Sequence, residues 1–268
     1  ILGPAIGAFL SQHHATTPLF FTAFLSLVNL VVVWKYLPET RPSKAMSPRP
    51  RATLKSQWAT AKASKNACLI LLITLVSTIA FAQMEQSIAL YIEHHWVLDS
   101  NLSVGARISK ASKLTGQFLV AIGITAAIIQ GGLIGRLSSR FGESRLCVTG
   151  LIMMTIGLAL IPIAGETGSF MAVLLVAPFL ATGSGLLMPS KNSLLSRSVD
   201  ESEQGSVLGL NQSSAALGRV IGPSCAGFIY EIDTTYPFYG GAALMVVGVM
   251  LSIYLSPVKP IHAPGHGL

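Results

Sequence analysis

Two charges set in apolar surroundings, Glu85 and Arg219, are where this chain could do chemistry. Glu85 belongs to Gln83-Met84-Glu85-Gln86, and Thr78 lies seven residues before it on the same helical face, with Thr74 adding to the stripe. Arg219 follows Asn211, Gln212 and Ser214 in the run Gly205–Ile229. A charge at the centre of a bilayer costs about 2.5–3.5 kcal/mol on insertion scales, so such a group turns toward a cavity or a partner. A carboxylate can take up and release a proton there. Arginine cannot shed its charge and must find a carboxylate, carbonyls, a headgroup or an anionic substrate. At about 1.5 Å per residue, Glu85 stands about 27 Å above Ala67 and Arg219 about 21 Å above Gly205, both in the outer part of a span. Two readings fit that depth. In one, Glu85 and Arg219 form an outer-cavity network with Gln83, Thr78, Asn211 and Gln212, and its pairing changes with protonation. In the other, the carboxylate and the arginine simply reach water at the outer interface.

Other polar features are weaker. Gln130 and Asn192 are more ordinarily structural, and Gly131 with Gly135 forms a small-residue pair suited to helix packing. Thr182-Gly183-Ser184-Gly185, between Pro178 and Pro189, makes its helix breakable, either as a gate or as tolerated flexibility. His13-His14 and His94-His95 fall on one side of the membrane, as solvated loop residues or, less simply, a shared metal site. His262 and His266 lie in a tail that reads as disordered. Cys68, Cys147 and Cys225 are scattered and suggest neither a disulfide framework nor a metal centre. No nucleophile elbow, phosphate loop or paired-histidine zinc motif occurs, so neither an enzyme nor an ATP-driven pump is expected, and no cofactor or metal.

The elements that must position these residues are membrane spans. Only 11% of residues are charged, 51% are hydrophobic and the mean hydropathy is +0.62. Charge-free stretches of about 20 residues match the length a helix needs to cross a bilayer. A large soluble helical protein would need polar faces that Phe20–Val33 and Leu69–Ala82 lack. The expected spans are Ile1–Leu10 (the outer end of one), Leu19–Tyr36, Ala67–Ile92, Gly116–Leu137, Leu146–Ala164, Phe170–Pro189, Gly205–Ile229 and Phe238–Leu255. The intervening loops are Glu93 to about Thr115, a basic turn Ser138–Arg145, and Ser190–Gln204. Between Pro38 and Asn66 lies a basic linker whose second part is either a short surface helix, with Leu54, Trp58 and Ala61 on one face, or a flexible connection.

The net charge of +7 does not point to nucleic acid. Seven basic residues lie between Arg41 and Lys65 with no acid among them, which marks an inner loop. On that assignment the inner loops hold 14 basic residues, Lys191 included, against Arg107, Lys110 and Lys113 outside, and the C-terminus is cytoplasmic.

The chain also repeats itself. With a constant offset of 219, Gly3-Pro4 falls on Gly222-Pro223, Phe9 on Phe228, Pro18 on Pro237 and Pro38 on Pro257. Six crossings separate the copies, so the parent is expected to be a parallel repeat of six-helix halves, with its first four and a half helices absent here.

These residues resemble the major facilitator superfamily. Gly3, Pro4 and Gly7 match the glycine-rich signature of its fifth helix, associated with drug:proton antiporters. Gly135, Leu137, Ser139, Arg140, Gly142 and Glu143, with Arg136 among them, resemble its loop signature, Ser139 standing in the aspartate's place. Glu203-Gln204-Gly205, Gly209-Leu210, Ile221-Gly222-Pro223, Met84-Glu85 and Ala89-Leu90-Tyr91 are similar to tetracycline- and multidrug-efflux members. The resemblance implies an all-α membrane protein with a partial major facilitator fold, from the end of helix 5 through helix 12. Residues 1–37 would end the N-terminal half, 38–66 form a cytoplasmic linker, 67–257 make the C-terminal half and 258–268 a cytoplasmic tail. It further implies a multi-pass protein of a cell or inner membrane, exporting small amphipathic molecules against protons by alternating access. Its partners would be substrate, protons, the bilayer and its own missing N-terminal helices. A symporter of sugars or organic acids, or a non-transporting receptor or scaffold of the same fold, are the alternatives. Gly3, Pro4, Gly7, Gly222 and Pro223 would act as a hinge pair, or as kinks fixed by packing.

Overall fold

The computed structural model describes residues 10, 16–38, 53–98 and 102–255. Gly3, Pro4, Gly7, His13, His14, the proline-rich first part of the linker and the tail 258–268 lie outside the described residues. The elements are α1 (Thr17–Tyr36), α2 (Leu54–Ala63), α3 (Lys65–Trp96), α4 (Val104–Ile128), a π-helical turn (Ile129–Leu133), α5 (Ile134–Phe141), α6 (Glu143–Glu166), α7 (Phe170–Ser196), α8 (Gln204–Ile232) and α9 (Tyr236–Ile253). Among the described residues, six helices are long and apolar enough to cross a membrane: α1, α3, the continuous rod Val104–Phe141, α6, α7 and α9. The 29-residue α8 is long enough as well, but Asn211 to Ser214 and Arg219 lower its apolarity.

Local chemistry sets the ends of these helices. Pro18 opens α1, where its missing N–H costs nothing. Thr53 caps α2 by accepting from Ser56 N at 3.3 Å, and Ser64 caps α3 by accepting from Ala67 N at 3.3 Å. Gly142, at φ +80°, makes the sharp corner between α5 and α6, a conformation that glycine adopts without strain. Before α9, the Asp233 carboxylate accepts from Thr235 N at 2.7 Å and from its hydroxyl at 2.6 Å. The hydroxyl and amide together hold that carboxyl below the usual carboxylate range.

The core forms where α3, α6, α7 and α9 meet, around Ile73, Met84, Leu151, Met154, Leu158, Leu180 and Met245. Small residues let α6 and α7 approach. A methyl on Gly183 would stand 2.5 Å from Met154 Cγ and 2.8 Å from the carbonyl oxygen of Gly150. At the other end, fully buried Tyr91 donates to Pro162 O at 3.4 Å and meets the Phe238 ring edge-on at 5.0 Å. Gly165 leaves room for its hydroxyl. By contrast, α1 has no buried residue and packs on none of the other described helices.

Three expectations need correction. The stretch from Glu93 to Thr115 is mostly helix: α3 runs on to Trp96 and α4 starts at Val104. The bases Arg107, Lys110 and Lys113 are good helix formers, so hydropathy understated the helix's length. The basic turn Ser138–Arg145 reduces to a corner at Gly142 between two helices. The segment Ser190–Ser196 is helical rather than looped, because Pro189 does not stop α7. A membrane helix tolerates proline when neighbours satisfy the backbone it frees. The Thr182–Gly185 stretch leaves α7 continuous, with Gly183 serving contact with α6.

The linker's second part is a helix docked on the bundle. Ala61 is buried with Leu71 and Leu210, and the Thr60 hydroxyl donates to Glu203 Oε1 at 3.0 Å. A cavity of about 310 Å³ opens beside it, lined by Thr60, Ala63, Ser64, Arg197, Ser198, Val199 and Asp200.

Gly183→Val should therefore overpack the α6–α7 contact and cost about 1–3 kcal/mol, read as a lower thermal midpoint of the solubilised protein. Gly227→Ala, where an added methyl meets nothing within 4 Å, should not lower the midpoint.

Candidate transport site

The polar residues gather where α3 crosses α8. The buried residues of α8 (Val207, Leu210, Asn211, Ala215, Gly218, Gly222 and Ala226) form one stripe, in which Gly218 and Gly222 face α3. A methyl on Gly218 would stand 2.9 Å from Thr78 Cβ. One on Gly222 would stand 2.7 Å from the carbonyl oxygen of Ile79 and 3.1 Å from the amide nitrogen of Gln83. The two backbones are thus nearly in contact. Pro223 lies inside α8, removes the amide that would bond the Arg219 carbonyl, and stays helical.

Of the residues singled out from sequence, Thr78 is half-buried against Gly218, whereas Glu85 and Arg219 are exposed on the rims of the same contact. Arg219 is the cation whose field reaches Glu85, although the two form no ion pair. Gln83 is buried and turned elsewhere: its Nε2 donates to Pro237 O at 3.0 Å, tying α3 to α9. Asn211 is buried and donates to Asn192 Oδ1 at 3.1 Å, tying α8 to α7, and its own Oδ1 has no partner. Gln212 is exposed beside it. Gln130 and Gly131 sit in the π-helical turn, and methyls on Gly131 or Gly135 would meet nothing within 4 Å, so within the described bundle these glycines do not serve helix packing. His94 and His95 are exposed, and among the described residues no cluster of three His, Cys, Asp or Glu side chains is placed to hold a metal.

Two features were not found from sequence. The first is at the loop signature. Arg136 and Arg140 point to solvent, while Glu143 gathers the surrounding groups. Its Oε1 lies 3.0 Å from Arg197 Nη2 and accepts from Ser138 at 3.2 Å and Ser193 at 3.3 Å. The carboxylate thus joins α5, α6 and the end of α7. Arg197 is 54 positions further along the sequence, so spacing alone could not name it. The second is Lys191. Counted among the loop bases, it is instead a buried member of α7, with Nζ 3.4 Å from Ser77 Oγ on α3.

With this geometry in hand, comparison with protein families matches residues 100–267 to the Major Facilitator Superfamily. The chain belongs to the major facilitator superfamily. Among curated proteins it is 29% identical to "Multidrug resistance protein 1" of Bacillus subtilis (strain 168), over 94% of this chain and 60% of that protein. It is 26% identical to "Tetracycline resistance protein, class E" of Escherichia coli, over 98% of this chain and 62% of that protein. A mouse relative, "Solute carrier family 22 member 18", is 30% identical over 54% of this chain. The chain thus spans about 60% of the length of the bacterial relatives. Apolar helices and family membership together make it a multi-pass membrane protein.

The Glu143 junction predicts a coupled pair. Glu143→Gln and Arg197→Met should each lower thermal stability, by about 1–3 kcal/mol for charge-assisted bonds. The double variant should lose less than the sum. Strictly additive losses would show that the two side chains act independently.

Proposed function

We propose that this chain is the C-terminal part of a secondary transporter that exports small amphipathic molecules in exchange for protons. The observation that carries the reading is the α3–α8 contact, where a titratable carboxylate, a permanent cation and a polar face sit on a glycine-packed seam between two long helices. Similarity to proteins named for multidrug and tetracycline resistance supports the export of drug-like cargo.

In this reading α1 ends the N-terminal half, and its apolar surface packs on helices of that half. Residues 67–257 form the C-terminal half, and the docked α2 links them. Excess base in the connections on the α2 side supports a cytoplasmic linker and a cytoplasmic C-terminus. Moving Lys191 into a span changes the inner count from 14 to 13 and leaves the bias against Arg107, Lys110 and Lys113 intact. Alternating access comes from the halves rocking against one another. Gly222-Pro223 with Gly3-Pro4 would supply a pair of kinked helices at the seam.

Within that cycle Glu85 carries the proton. Deprotonated, it is drawn toward Arg219; protonated, it releases Arg219 and lowers the cost of facing an apolar surface. The coupling requires only that the carboxyl be charged in one access state and neutral in the other.

Glu85→Gln in the full-length protein should abolish proton-driven export and leave the amount in the membrane unchanged. The check is loss of substrate-induced proton movement in proteoliposomes. Undiminished drug export by this variant would refute the role of Glu85.

A further inference from the structure

One charge within the bundle plays no part in that cycle. Lys191 is 4% exposed, and its Nζ lies 3.4 Å from the Ser77 hydroxyl across the α3–α7 contact. The charged and titratable groups whose fields reach it are the Cys147 thiol on α6 and Arg219 on α8, a second cation. Among the described residues no carboxylate pairs with Lys191; the one ion pair joins Arg197 and Glu143.

The neighbouring polar groups are short of one kind of partner. An ammonium has three N–H donors and no acceptor, and Ser77 offers one oxygen. Thr74, one turn from Ser77 on α3, is buried with its hydroxyl unpartnered, and so is Ser190 beside the lysine on α7. The Ser77 hydroxyl donates to Thr74 O at 3.3 Å, but the Thr74 and Ser190 hydroxyls and the rest of the ammonium keep their hydrogens free, so this cluster is rich in hydrogens and poor in negative charge. An uncompensated charge is among the costliest groups to hold in an apolar interior. Inside a membrane such a group marks the path of a substrate or ion. Two cations, Lys191 and Arg219, select for negative charge in whatever enters here.

We infer that Lys191, assisted by the Ser77 and Thr74 hydroxyls, is the recognition point for a carboxylate, so that the cargo includes organic anions or zwitterions. This rests on the reading of the chain as part of an exporter and names the class of molecule exported. The ammonium supplies the charge, the hydroxyls supply direction, and Arg219 biases the approach.

The test uses two dyes with the same xanthene ring system and opposite charge, carboxyfluorescein as the anion and rhodamine 123 as the cation. Export of each is followed in proteoliposomes of the full-length protein under an imposed proton gradient. Lys191→Met, which keeps the length of the side chain and removes its charge, should lower carboxyfluorescein export at least about tenfold. Rhodamine 123 export should stay within about twofold of the unmodified protein. Equal loss of both dyes, or loss of neither, overturns the inference. An unmodified protein that exports only rhodamine 123 also overturns it, while leaving the exporter reading in place. Export of neither dye counts against the exporter reading itself, and the inference falls with it. A second measurement needs no variant. Fluorescence anisotropy should show tighter binding of carboxyfluorescein than of rhodamine 123 to the solubilised full-length protein, and equal or reversed affinities overturn the inference.

Discussion

The structure depends on how closely two helix backbones can approach when one of them carries no side chain at the contact. In a bilayer the lipid is as apolar as the protein, so burying apolar surface does little to hold helices together. Close packing and interhelical hydrogen bonds must do it instead. Gly218 and Gly222 on α8 meet Thr78, Ile79 and Gln83 on α3 at distances where an added methyl could not fit. That approach fixes the rotation of both helices. It places Thr78 at the contact and leaves Glu85 and Arg219 on its rims. Gly150 and Gly183 do the same for α6 and α7.

Polar groups inside this frame divide into those with partners and those without. Gln83 gives its amide to the α9 end, Asn211 ties α8 to α7, and Glu143 binds three helices at the corner made by Gly142. These satisfied groups lock the bundle and use up their bonding capacity in doing so. Glu85, Arg219 and Lys191 are charged, yet none has an ion-pair partner among the described residues. Holding unpaired charges such as these in a membrane bears a standing cost, and the proposed transport of a charged species past them is a physical reason to keep them.

Much of this was legible from residues alone. Long apolar stretches gave the helices, and the charges of Glu85 and Arg219 stood out because their surroundings lacked others; the close approach of Gly222 to α3 is a packing fact that the Gly-Pro pair alone does not reveal. What escaped has specific causes. The apolar stretch ends at Pro189, which on hydropathy leaves Lys191 in a loop, but membrane helices tolerate proline and α7 runs on to Ser196, putting the lysine in the interior. Val104–Thr115 carries lysine and arginine, which lower hydropathy without lowering helix propensity. Glu143 lies within a recognised loop signature, but its partner Arg197 is brought to it only by the packing of α6 on α7. The open Gly131 and Gly135 show the reverse case, in which a packing pattern is present and no described helix fills it.

The polar face of α8 beside the α3 contact is proposed to line a water-filled path that opens to each side of the membrane in turn. The most direct measurement is thiol accessibility at Gln212→Cys in the full-length protein, with Cys68, Cys147 and Cys225 and any upstream cysteines replaced. Labelling by a membrane-impermeant thiol reagent is expected from one side, and from the opposite side once the proton gradient is reversed. A thiol that resists the reagent from both sides under every condition would contradict it.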